Sequence, residues 1–106
     1  MSADTLEDTN VYNHQGENLG EVEEIMINVP EGKVEYAVVE FGGFLGIGTK
    51  YFAVPWPALR LDTEEKCFRL NVSKDALEDA EGFDKDNWPD MANPEWAART
   101  RAVYGL

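Results

Sequence analysis

Few residues in this chain of 106 amino acids have types and spacings suited to chemistry, and the most suggestive run fails on residue order. Gly43-Phe44-Leu45-Gly46-Ile47-Gly48-Thr49-Lys50 has the glycine spacing of a phosphate-binding loop. That motif needs lysine followed by serine or threonine, so that the ammonium reaches the outer phosphates while the hydroxyl meets magnesium, and it needs a helix to begin there. Here the two residues are reversed, and Tyr51-Phe52-Ala53-Val54-Pro55 reads as a strand, so no helix N-terminus faces an anion. The glycines are predicted instead to turn the chain sharply between two strands.

The remaining candidates read as structural. Cys67 is the only cysteine and His14 the only histidine. Strand alternation puts Cys67 on the face opposite Phe68, Leu70 and Val72. An ordinary strand residue is expected, since a reactive thiol needs an electropositive, partly exposed surrounding. His14 lies in the turn-like Asn13-His14-Gln15-Gly16-Glu17, with no second histidine to complete a common zinc set. In Phe83-Asp84-Lys85-Asp86-Asn87-Trp88-Pro89-Asp90, the residues Asp84, Asp86 and Trp88 fall at alternate places of a would-be calcium loop, and Glu95 closes its count. Trp88 cannot ligate, Pro89 occupies the place of the required glycine, and Pro94 interrupts the rest. Phe83, Trp88, Met91 and Trp96 are better read as apolar anchors that hold an acidic extension to the domain or to another subunit. Catalytic residues, metals and cofactors are therefore not expected.

Charge is the strongest compositional signal, at a formal −12. No lysine or arginine precedes Lys33, and a second acidic zone holds Glu78, Asp79, Glu81, Asp84, Asp86, Asp90 and Glu95. Such a surface repels nucleic-acid phosphates and anionic lipid and attracts basic partners, although net charge serves solubility as readily. The longest apolar-looking stretch, 34–58, is broken by Glu35, Glu40, Lys50, glycines and prolines, so membrane insertion is not expected. The N-terminal residues have neither a basic start nor an apolar core, which reads as a chain that stays in the cytoplasm.

These residues need elements to position them. Residues 1–9 are acidic and aperiodic and are predicted to be a loose tail. Short strands are predicted at 11–12, 19–29, 34–41, 50–54, 60–62 and 67–72. The second changes phase near Glu23-Glu24, which suggests a bulge. In the third, Ala37, Val39 and Phe41 take one face while Tyr36 and Val38 take the other, so a cover on both sides or an interface is expected. Pro55-Trp56-Pro57 stops the fourth strand, because neither proline can donate to a ladder. Helices are predicted after Ser73, ending at Gly82, and after Asn93-Pro94, running to Gly105. The fold class is mainly β: a small, partly open antiparallel barrel of five or six strands in a meander, with short C-terminal helices.

Gly42-Gly43-Phe44-Leu45-Gly46-Ile47-Gly48, Val54-Pro55-Trp56-Pro57-Ala58-Leu59 and Leu19-Gly20-Glu21-Val22 together resemble the PRC-barrel family. The likeness spans about residues 10–80, with 81–106 similar to the acidic, aromatic extension of stand-alone bacterial members. It implies a partly open barrel acting as an assembly or interaction module. Of the roles such barrels have, a reaction-centre subunit would place a membrane helix ahead of the barrel and a ribosome maturation factor a second barrel domain. The stand-alone type, described as regulatory or stress-related, fits best. We expect a non-enzymatic module that self-associates into a homo-oligomer, with Phe44, Leu45, Ile47, Trp56, Trp88 and Trp96 as candidate interface residues. Two alternatives stand beside it: a small-molecule binder or enzyme using the barrel mouth with Glu21, Glu23 or Asp62, and an assembly factor docking on a basic protein such as a ribosomal one.

Overall fold

The computed structural model describes residues 3–41, 50–79, 82–84 and 87–106. Six strands, β1 (Asn10–Tyr12), β2 (Asn18–Asn28), β3 (Lys33–Phe41), β4 (Lys50–Pro55), β5 (Leu59–Asp62) and β6 (Cys67–Leu70), form one curled sheet in the order β4-β3-β2-β1-β6-β5. Three helices, α1 (Ala3–Leu6), α2 (Lys74–Asp79) and α3 (Pro94–Val103), and a 3-10 turn at Trp56–Ala58 complete the described elements.

The sheet is mixed, which corrects the expected purely antiparallel meander. β1 to β4 do meander and β5–β6 is a hairpin, but the seam between β1 and β6 is parallel, with Val11 opposite Phe68 and Tyr12 opposite Arg69. A parallel pair needs a long crossover, and the whole excursion through β2 to β5 supplies it. Sequence distance hides such a pairing.

β2 carries the curl. Its register against β3 shifts between Val22 and Glu24, where the sequence suggests a bulge, and again between Met26 and Ile27. Each shift adds twist and bends the strand, so the inner face wraps a core of Val11, Leu19, Val22, Ala37, Val39, Phe41, Phe52, Val54, Phe68, Leu70 and Leu77. Ile27 and Val29 share the phase of Leu19 in sequence, yet they are exposed at 54% and 82%, because the strand has left the core by then.

β3 is buried on both faces. Ala37, Val39 and Phe41 join the core, and Tyr36 and Val38 on the opposite face are 6% and 0% exposed. The chain provides the outer cover itself. α3 packs against β4, and its Trp96 meets Tyr36 edge-on at 5.4 Å. An edge-on aromatic pair of this kind contributes roughly 0.5–1.5 kcal/mol beyond the area it covers, which helps hold down a 10-residue helix too short to be stable alone.

Local chemistry sets the helix starts. Ser73 Oγ accepts from Ala76 N at 3.0 Å, and the adjacent Val72 packs on the core with Leu77. Asn93 Oδ1 accepts from Glu95 N and Trp96 N, and Pro94 follows at the first helical position. Residues 1–9 are not a loose tail throughout. α1 forms, Leu6 packs on the core, Asp8 N donates to Val22 O at 2.7 Å, and Val22 N donates to Thr9 O at 2.9 Å. Leu6 is the one large apolar side chain between Ser2 and Val11, and it is enough to dock the turn.

Gly20 marks the closest strand crossing. Its φ is +137°, and a Cβ there would collide with the carbonyl oxygen of Glu40. Gly32, at φ +67° in the β2–β3 turn, has open space around it. Gly20→Ala should therefore cost at least about 2 kcal/mol through backbone strain plus overpacking. Gly32→Ala should cost about 1 kcal/mol, from the left-handed backbone alone. Urea unfolding of the two variants checks this, and equal costs would contradict the crossing.

Candidate functional site

Carboxylates converge at one place on the barrel. The β2–β3 ladder sets Glu21 directly opposite Glu40, and Glu23 follows two residues along β2. Asp8 enters from the turn ahead of β1, which the backbone bonds to Val22 and Thr9 hold against β2. Like charges facing each other across strands destabilise. At Glu40 this adds to burial: its pKa is raised from 4.5, first by burial, then by a hydrogen bond and charge repulsion from Glu23, then by Glu21 and Asp8. Tyr51, next to Glu40 across the β3–β4 ladder, is raised by burial and by Glu40 and Glu23. A small cleft beside the group is lined by Asn10, Asn18, Gly20, Glu21 and Glu40.

Asp62, the third acid considered for the barrel mouth, does not act on Glu40. It caps the β5–β6 turn, accepting from Glu64 N at 3.1 Å and Glu65 N at 3.0 Å, with Arg69 Nε at 3.5 Å. Those backbone bonds, chiefly that of Glu65, and Arg69 hold its pKa below the ordinary value. Arg69 also lies over the Tyr12 ring, 5.7 Å from its centroid. His14 and Arg60 share the open concavity beside Asp62.

The other candidates have structural settings. Cys67 is buried despite facing away from Phe68 and Leu70, so its thiol is withdrawn from solvent. Asn13, 1% exposed, organises the turn that carries His14: its side chain donates to Glu17 Oε1 at 2.7 Å and accepts from Gln15 N and Glu17 N. Among the described residues no group of His, Cys, Asp or Glu has the arrangement to hold a metal ion. Of the interface candidates, Phe44, Leu45 and Ile47 lie outside the described residues, as does Asp86 of the calcium-like run. Trp56 is half-buried, edge-on to Phe68 at 5.8 Å, and Trp96 is engaged with Tyr36. Trp88 is 39% exposed and leans on Tyr51 and Phe83, with Phe83 in turn bridged to β4 through two backbone bonds to Tyr51.

Sequence reading missed Glu40, which entered only as an interruption of an apolar run. Its signal was parity: on β3 it shares the face of Tyr36 and Val38, and pairing with β2 brings it to Glu21.

A six-stranded, mixed, curled half-barrel sheet with short C-terminal helices defines a small barrel-type β domain. The PRC-barrel domain profile matches residues 1–77, and the chain belongs to that family. Among solved structures, a Pseudomonas aeruginosa protein described as the 16S ribosomal RNA processing protein RimM is similar, with TM-score 0.46 and 14% identity over 71% of this chain. The chain spans 45% of the length of that structure. Comparison with curated proteins finds no match. Among the described residues no helix is long and apolar enough to cross a membrane.

The Glu40 shift has a pH consequence. A carboxyl whose folded pKa lies above its ordinary 4.5 holds its proton more tightly when folded. Folding stability therefore falls as pH rises from that ordinary value through the raised one. Glu40→Gln should flatten this fall and raise the urea midpoint at neutral pH, with the gain shrinking in high salt. A pH profile unchanged by the substitution would show that the crowding has no energetic weight.

Proposed function

We propose that the chain is a non-enzymatic protein-interaction module, an assembly or regulatory barrel that docks a basic partner on the face carrying Asp8, Glu21, Glu23 and Glu40. The observation that carries this reading is the cross-strand opposition of Glu21 and Glu40, with Glu23 and Asp8 adding to the repulsion. Crowding of this kind works against the free fold, and a partner's lysine or arginine relieves it. The relief adds to the attraction of a chain at −12 for a cationic surface. Membership of the PRC-barrel family agrees with a scaffold role.

Self-association is a second arm with narrower support. On the two-faced strand that suggested it, Tyr36 of the outer face already packs against Trp96 of α3 in the same chain. What supports it is β5, which ends the sheet order and bears the exposed Leu61, since an open edge invites a second strand.

Calorimetric titration with a lysine- and arginine-rich peptide tests the first arm. Affinity should drop steeply with added salt and again in the Glu23→Gln/Glu40→Gln double variant, while an acidic peptide of equal length gives no heat. Binding indifferent to salt and to those substitutions would remove the basic-partner reading. Light scattering addresses the second arm separately: a strictly monomeric protein at high concentration excludes self-association.

A further inference from the structure

Beside the bridged segment at Phe83, α3 does not close completely onto β4. A groove of about 290 Å³ remains between them, walled by Phe52, Phe83, Trp96 and Tyr104 and edged by Arg99 and Thr100. We propose that this groove is a binding site for a small aromatic carboxylate, its ring among the aromatic walls and its acid group on Arg99.

The volume is at the lower end of ligand pockets, about 300 Å³ upward, which suits one ring with a short acidic arm. The walls come from β4, the bridged segment at Phe83 and α3, so their spacing is fixed by the fold. The polar groups are donors without occupation. Arg99 is exposed and makes no ion pair among the described residues, even with Glu95 one turn earlier on α3. The Tyr104 hydroxyl has no hydrogen-bond partner among the described residues, and burial pushes its pKa up. No buried side-chain polar atom is left without a partner among the described residues, so this hydroxyl reaches solvent at the groove, where a carboxylate oxygen takes the place of water.

Charge selects the sign of the ligand. In a chain at −12, Arg99 is the one charged side chain among the described residues that line the groove. An arginine beside aromatic faces also suits a planar anion better than a point cation would. The groove is therefore a locally cationic, aromatic recess in an acidic protein, and it lies on different residues from the acidic docking face.

The test is a titration of the isotopically labelled protein with phenylacetate, followed by amide and indole resonances. Saturable shifts should be confined to Phe52, Gly82, Phe83, Trp96 and the Arg99-to-Tyr104 turn. Acetate, which lacks the ring, and 2-phenylethylamine, which reverses the charge, should leave them unmoved. Arg99→Gln, at an exposed position that leaves the spectrum elsewhere intact, should weaken phenylacetate about tenfold, the scale of one charge-assisted hydrogen bond. Tyr104→Phe, which keeps the ring and removes the hydroxyl, should weaken it by a smaller factor. Shifts that never saturate, that spread over the barrel, that the amine reproduces, or that survive Arg99→Gln unchanged would each overturn the assignment.

Discussion

The structure depends on the burial of β3 from both sides. With Ala37, Val39 and Phe41 facing in and Tyr36 and Val38 facing out, a single curled sheet cannot satisfy the strand. A second layer is required, and α3 supplies it through Trp96. That requirement explains why a short helix, with no residue of its own fully buried, stays on the barrel at all. It also explains why the segment between α2 and α3 is fastened along the free side of β4, where Phe83 bridges Tyr51. A module of this size has little core to spare, so one outer layer serves both stability and the shape of the surface around it.

The same strand links the two faces of interest. Along β3 the outer residues run Tyr36, Val38, Glu40: the first two lie on the face α3 covers, and the third enters the carboxylate group. The curl of β2 brings Glu21 to Glu40, and the close crossing at Gly20 allows it. Charge crowding and tight backbone approach are thus products of one strand pair. The acidic face is costly to the free fold because it is built on rigid ladder positions that cannot move apart.

Much of the local structure was legible in the residues. The bulge near Glu23-Glu24, the stop at Pro55-Trp56-Pro57, the Ser73 and Asn93 caps and the two-faced character of β3 all follow from short-range patterns, because parity, proline and capping chemistry act within a few residues. The seam between β1 and β6 was not legible. It joins Val11 to Phe68, and nothing within either strand of three or four residues states which way its neighbour runs. α1 was missed because a single leucine gives no periodicity. That Asp62 bonds to its own turn was not legible, because composition counts acids without saying which ones do so.

What the sequence alone determined was the class: a small β domain of PRC-barrel type, strongly acidic, with glycine and proline marking its turns. Only the tertiary structure decided which surface is available. It spent Trp56 and Trp96 on internal ring contacts, packed Tyr36 of β3 against the chain's own helix, bonded Asp62 to its own turn and Arg69, and brought Glu40 and Asp8 to the acidic group. The reason is physical. Alternation fixes which side of a strand a residue occupies, but its neighbours are set by long-range pairing and by whatever apolar surface remains to be covered.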